Sequence, residues 1–236
     1  DIYNLSRICN RRYASHLCNF LSMIKLFDAK KLTYKKDDLI ICDPPYNIGY
    51  KYKGDFVDNM SLESYQELFV PMQGKRVVII HYMESVINDI IPILGNPEKI
   101  VCWSYPSNMG NRSWRSIVWF NCKPDFSKVR VPYKNPTDKR IKELVKRTGG
   151  RALPDHWDIN LVKNVSKEKI KEYTNQIPQE VISRIIKTTS KETDTIVDPF
   201  CGTGTTPFIA NKLGYKFRAY DINELAIELT NKRLLV

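Results

Sequence analysis

The chain has 236 residues, 42% of them hydrophobic, and a formal net charge of +11. That length accommodates one full α/β domain, or one domain with a small insert. No run approaches eighteen apolar residues, so no membrane-spanning helix is expected, and the N-terminus lacks the basic, apolar, then small-residue order of a secretory signal.

In chain order, residues 5–21 predict a basic helix carrying Arg7, Arg11 and Arg12. MIKLFDA (23–29) reads as a strand ending on Asp28, and LIIC (39–42) as one ending on Asp43. SLESYQELFVPM (61–72) opens on a Ser cap with helical spacing. RVVIIHY (76–82) is a continuous apolar run, the mark of a strand buried on both faces. A helix over 84–94 precedes two more strands, KIVCWS (99–104) and SIVWFN (116–121). Residues 123–166 are basic and proline-punctuated, and RTGGRALPDHW (147–157) reads as loop. Periodicity returns at 178–190, with Val181, Ile182, Ile185 and Ile186 on one face. DTIVDPF (194–200) is a strand ending on an acid, TTPFIANKLG (205–214) a helix closed by Gly214, and KFRAYD (216–221) another acid-ended strand. A last helix covers 223–234.

Alternating strands and helices predict a mostly parallel sheet covered on both faces. Four strands end on acids: Asp28, Asp43, Asp198 and Asp221. A parallel sheet brings such ends to one rim, so the four are expected to share one crevice. The six cysteines form no C-x-x-C pair and no cluster with histidine at zinc spacing. They point to a reducing, intracellular (cytoplasmic) setting and to no metal.

Charge is unevenly spread. Between Lys123 and Arg151 ten Lys/Arg face three acids, so this stretch alone carries +7. Charge gathered on one insert favours a polyanion such as nucleic acid.

VDPFCGTGTTPF (197–208) is strand, glycine turn, helix. Gly202 and Gly204 let the backbone turn tightly and approach a ligand. Asp221 ends the next strand, the position of a carboxylate that grips a ribose diol. An adenosine-type ligand fits this arrangement, as does a turn that only packs a helix on a strand. In DPPY (43–46), Asp43 offers an acceptor. Pro44 and Pro45 have no N–H, and their fixed φ can aim the Pro44 carbonyl into the crevice. Tyr46 offers an exposed flat face for a planar ring. Two acceptors beside an aromatic suit an exocyclic amino group on a nucleobase. Such a nitrogen shares its lone pair with the ring. Hydrogen bonds from both its hydrogens, to Asp43 and Pro44, would draw it towards tetrahedral geometry and free the lone pair for an electrophilic methyl.

Together DPPY and DPFCGTGTT resemble the S-adenosylmethionine-dependent DNA amino-methyltransferases, which act on adenine N6 or cytosine N4. The order of the motifs, with the basic segment between them, resembles the permuted β group of the restriction-modification type. The resemblance implies an α/β, Rossmann-like class I methyltransferase sheet of about seven strands, mostly parallel, with a basic target-recognition insert. It divides the chain into a catalytic half (1–122), the target-recognition insert (123–166) and a cofactor half (167–236). By the same resemblance S-adenosyl-L-methionine is the cofactor, held by Asp28, Asp198, Phe200, Gly202, Gly204, Thr205 and Asp221. YTNQIPQEV (173–181) resembles the family's segment ahead of the cofactor strand and adds Asn175 and Gln176, although Thr174 and Ile177 depart from its pattern. DHWDI (155–159) resembles a W-x-I stretch in which Trp157 is a packing residue. Asp43, Pro44, Pro45 and Tyr46 form the catalytic set. Lys139, Arg140, Lys146 and Arg147 are the candidate contacts to double-stranded DNA.

His16, His81 and His156 stand alone and receive no role. The loop Tyr50–Lys53 could close over a flipped base or touch phosphate. The N-terminal basic helix could meet DNA or a second subunit of a homodimer. The function implied is adenine-N6 methylation of a flipped-out base in DNA. The rivals are cytosine-N4 methylation, RNA amino-methylation and a silent DNA-binding module. No nuclease motif is present, so a cognate restriction endonuclease would be a separate chain.

Overall fold

Uninterrupted apolar runs occupy the middle of the sheet. In the computed structural model, which describes residues 23–51, 58–106, 112–133, 135, 137–171, 173 and 175–235, β2 (Asp38–Cys42) and β3 (Arg76–His81) lie side by side, almost wholly buried. β9 (Thr195–Asp198) pairs with the other side of β2, followed outward by β10 (Lys216–Asp221) and the edge strand β1 (Ile24–Leu26). All these pairings are parallel. Beyond β3 come β5 (Trp114–Phe120) and β4 (Lys99–Ser104), joined antiparallel, and then β8 (His156–Asp158), parallel to β4. The order is β1-β10-β9-β2-β3-β5-β4-β8. The expected mostly parallel α/β sheet is present, with eight strands where about seven were expected. The N-terminal basic helix and Tyr52 and Lys53 lie outside the described residues.

Each face carries its own apolar layer. On one, α5 (Gln179–Thr189) buries Val181, Ile182, Ile185 and Ile186 against the sheet, as the 3.6-residue spacing requires. The other is covered by α1 (Leu62–Gln66), which Ser61 caps by accepting the Ser64 N–H at 3.2 Å. The chain over 83–94 joins it there, as two short α segments, α2 (Met83–Ser85) and α3 (Ile91–Leu94), separated by a wide π turn at Val86–Ile90. Pro92 has no N–H to give a regular α ladder at that point. α6 (Thr205–Lys212) and α7 (Glu224–Leu234) complete the layers.

The basic segment is more ordered than its texture suggests. α4 (Lys139–Thr148) starts where Asp138 accepts the Arg140 N–H at 2.8 Å, and ends at Gly149 with φ 70°. It buries none of its residues. β6 (Arg130–Val131) and β7 (Arg151–Ala152) pair with each other. The stretch read as loop over 147–157 therefore holds a helix end, β7 and the start of β8. Too few residues repeat there for periodicity to show. The segment is also anchored in the core. Leu153, Trp157 and Ile159 are buried, Trp157 lies edge-on to Trp119 at 6.3 Å, and its Nε1 donates to the Pro154 carbonyl at 2.8 Å.

Trp157→Ala should leave a large void between β8 and α5. The expected loss is about 3–5 kcal/mol of stability. Urea unfolding should still show one transition, because β8 belongs to the main sheet. A loss under about 1 kcal/mol would mean that the segment is attached only at its ends.

Candidate active site

Four neighbouring parallel strands, β1, β10, β9 and β2, run out at the same edge of the sheet. Asp28, Asp221, Asp198 and Asp43 follow or close them, and all four line one cavity of about 330 Å³. That volume lies in the range of small-molecule sites, roughly 300–1,000 Å³. The shared crevice expected from the strand ends is there.

Each carboxylate is held differently. Asp28 accepts the Lys30 N–H at 3.0 Å and caps a short 3₁₀ turn. Asp221 accepts the N–H groups of Gly202 and Asn223, both at 2.9 Å. Asp198 accepts the Phe200 N–H at 3.0 Å. Burial pushes the Asp198 carboxyl up to about 7, with the Asp221 and Asp43 charges adding to it, while the Thr206 hydroxyl and the Phe200 N–H pull it down. Burial also raises Asp221. Asp43 is pushed up to about 6 by burial, opposed by the Arg115 guanidinium and the Tyr46 hydroxyl. Lys30, the one lysine lining the cavity among the described residues, is tied to Ser64 and Glu67 at 2.7 and 2.8 Å. The lining is therefore acidic, and it suits a ligand that brings positive charge.

The glycine turn is clamped from behind. Gly204 sits at φ 73°, and a Cβ there would come within 2.7 Å of the Thr230 methyl. Thr230 Oγ1 donates to the Gly202 carbonyl at 3.0 Å. Arg233 Nη1 reaches the Thr203 carbonyl at 3.1 Å and Thr205 Oγ1 at 2.9 Å. The last helix thus fixes the turn whose Phe200, Gly202 and Thr205 face the cavity. Tyr173 lies across it, with its ring edge 3.6 Å from where a Gly202 Cβ would be. Asn175 and Gln176 also line the cavity. The Gln176 amide, however, accepts the Ile170 N–H at 3.0 Å and donates to the Glu168 carbonyl at 2.7 Å, so its hydrogen bonds hold the 168–176 loop together.

The DPPY turn departs from expectation in one respect. Tyr46 is not an exposed ring but only 5% accessible. Its hydroxyl donates to Asp43 Oδ1. His81 packs edge-on at 4.8 Å between centroids, Tyr82 at 4.9 Å, and the Arg115 guanidinium lies 4.8 Å from the ring centre. A strand end packed between aromatic neighbours buries the ring that the two prolines seemed to expose. Pro45 and the free part of Tyr46 still line the cavity. His81 pairs its Nε2 with the Tyr65 hydroxyl at 2.8 Å, and burial lowers it to about 4, so it is neutral near pH 7.

Arg115 escaped the sequence reading. The available signal was an arginine at the head of the apolar run SIVWF, a place where charge is costly unless matched. Lys139, Arg140, Lys146 and Arg147 are far from such burial. All four are exposed, and their spacing along α4 puts them on one side of the helix.

Comparison with known proteins agrees with this geometry. A family model described as DNA methylase matches residues 38–232. The type II methyltransferase M2.LlaDCHI of Lactococcus lactis subsp. cremoris is 39% identical over 233 residues, covering 87% of this chain and 84% of that one. Among solved structures, the cytosine-N4-specific PvuII DNA methyltransferase superposes with a TM-score of 0.62 at 14% identity, over 90% of this chain and 86% of that one. The complex of M1.HpyAVI with SAM superposes with a TM-score of 0.53 at 20% identity, over 90% and 99%.

Gly204→Ala should cost about 1–3 kcal/mol, because the new methyl meets Thr230 at a backbone angle that alanine resists. Denaturant titration would measure it. Adding Thr230→Ala should return part of the loss, and no recovery would assign the whole cost to backbone strain.

Proposed function

This chain belongs to the DNA methylase family and is an S-adenosylmethionine-dependent DNA amino-methyltransferase; from that premise we propose that its target is the N6 amino group of adenine in a base flipped out of double-stranded DNA. The observation that carries the proposal is that the DPPY carboxylate and the glycine turn open into one cavity. The cofactor, when bound, supplies an electrophilic methyl group and a positive charge.

In this reading Asp221 binds the ribose hydroxyls with the lone pairs that Gly202 and Asn223 leave free. Asp28, Phe200 and the 173–176 loop border the remainder of the cofactor. Asp198 and Thr205 shape the floor of the cavity. Asp43 and the Pro44 carbonyl accept the two hydrogens of the target amine. They bend it out of conjugation, and Asp43 faces the positive charge that grows on nitrogen. Pro45 has no N–H to compete for these acceptors. Tyr46 orients Asp43 through its hydroxyl and offers its cavity-facing side to the base. Adenine is favoured over cytosine by the intact DPPY sequence. The basic face of α4 in the 123–166 segment grips the phosphate backbone, and the chain division at 122 and 166 follows from that role. The relatives' type II names support a separate restriction endonuclease as a functional partner.

Methyl transfer from tritiated cofactor to duplex DNA, followed by nucleoside analysis, tests the target. N6-methyladenine is expected, and N4-methylcytosine would replace this reading with its rival. The single-turnover rate should fall as pH drops through about 6, because protonated Asp43 no longer accepts from the amine. Asp43→Ala should lower that rate by at least about 10²-fold while cofactor binding holds. Reversing the charge of Lys139, Arg140, Lys146 and Arg147 should weaken DNA binding and flatten its dependence on salt. An unchanged salt slope would move the DNA-gripping surface elsewhere.

A further inference from the structure

We propose that Arg115 is a positioning residue for the DPPY turn: its buried guanidinium, seated on the Tyr46 ring beside Asp43, keeps the Asp43 carboxyl ionised and the turn in its working shape. This rests on Asp43 being the acceptor named above, but it concerns a residue that neither the motif nor the cofactor turn includes.

Arg115 opens the inward-facing part of β5 and is only 5% accessible. Its Cζ lies 4.8 Å from the Tyr46 ring centre, 5.7 Å from Tyr82 and 5.5 Å from Trp103. The guanidinium donates to the Tyr105 hydroxyl as well. Its Nε is buried without a partner among the described residues. A permanent cation held this way is costly, and aromatic faces offset only part of the cost. Arg115 therefore depends on an anion, and the Asp43 carboxylate, hydrogen-bonded to the hydroxyl of the Tyr46 ring on which the guanidinium lies, acts on it electrostatically.

The dependence is mutual. The groups whose charge or hydrogen bonding bears on Asp43 are Arg115 from β5, Tyr46 on its own turn, Cys42 at the end of β2, Asp198 from β9 and Tyr173 across the cavity. His81 is neutral, and Asp198 repels. Of these groups Arg115 alone brings positive charge. Its flat guanidinium also packs against the Tyr46 ring, whose hydroxyl donates to Asp43. Lysine would keep the charge but not the plate.

The deciding measurement needs neither DNA nor cofactor. The Asp43 carboxyl is titrated by ¹³C NMR in aspartate-labelled protein, with its signal assigned through Asp43→Asn, for wild type, Arg115→Lys and Arg115→Met. Removing a neighbouring opposite charge moves a carboxyl by roughly 1–3 pH units. The Met variant should therefore titrate at least about one unit higher, and the Lys variant much nearer wild type. A midpoint moved by less than about 0.3 units in the Met variant overturns the proposal. If the Met variant does not fold, Arg115→Gln takes its place under the same criterion. In single-turnover methyl transfer, the acid limb of the Met variant should move upward with the NMR midpoint and the rate should recover at high pH. A purely structural role would lower the rate equally at every pH. Wild-type protein that methylates no DNA at any pH would refute the reading of function, while the NMR result would still decide the coupling of Arg115 to Asp43.

Discussion

Carboxylates set close together at the edge of a sheet repel one another, and much of the surrounding architecture answers that repulsion. Parallel pairing of β1, β10, β9 and β2 makes the crowding unavoidable, since each strand delivers its acid to the same rim. Backbone N–H groups absorb part of it: one each for Asp28 and Asp198, two for Asp221. Asp198 differs again: burial above all, with the Asp221 and Asp43 charges adding to it, raises its affinity for a proton to near neutrality. Asp43 receives the hydroxyl of Tyr46 instead, whose ring carries a buried cation. In the proposed binding mode the cofactor brings further positive charge into this group. A neutral adenosine compound of the same shape would leave the repulsion uncompensated.

Most of the sheet was legible because its strands are extreme. LIIC, RVVIIH and TIVD are too apolar and too short to be anything but buried strands, and the acids that close the first and last of them, Asp43 and Asp198, mark the rim where the cavity lies. The helix face of Val181, Ile182, Ile185 and Ile186 was legible for the same reason. The parts that escaped are those where a few residues matter through distant partners. β8 is three residues long and exists because Cys102, Trp103 and Ser104 present an open edge to it. Tyr46 is buried by His81, Tyr82 and Arg115, none adjacent in sequence. Gln176 lines the cavity as expected, yet its amide serves its own loop. Spacing predicts which face a side chain takes, but not what already occupies its hydrogen bonds.

The basic segment shows how one stretch can satisfy two demands. α4 keeps all ten of its residues out of the core and presents charge to solvent. A few residues on, Leu153, Trp157 and Ile159 are among the most deeply packed side chains near the sheet edge. Sequence over α4 is free to vary, because packing places no condition on it. Sequence over 153–159 is not, because it closes the sheet beside β4.

The order of strands in the sheet is not their order in the chain, and that has a consequence for biosynthesis. Among the described residues β1 pairs with β10 alone, and β9 is placed between β10 and β2. When β2 and β3 leave the ribosome they can join each other, but β1 must wait for the strand it pairs with until β10 has been made. The cavity, walled by residues from both ends of the chain, cannot close before the segment around Asp221 emerges. Until β10 is made, a nascent chain therefore carries an unfinished sheet edge exposed to other strands. Products cut short before β10 would carry the DPPY turn without the cavity into which it opens.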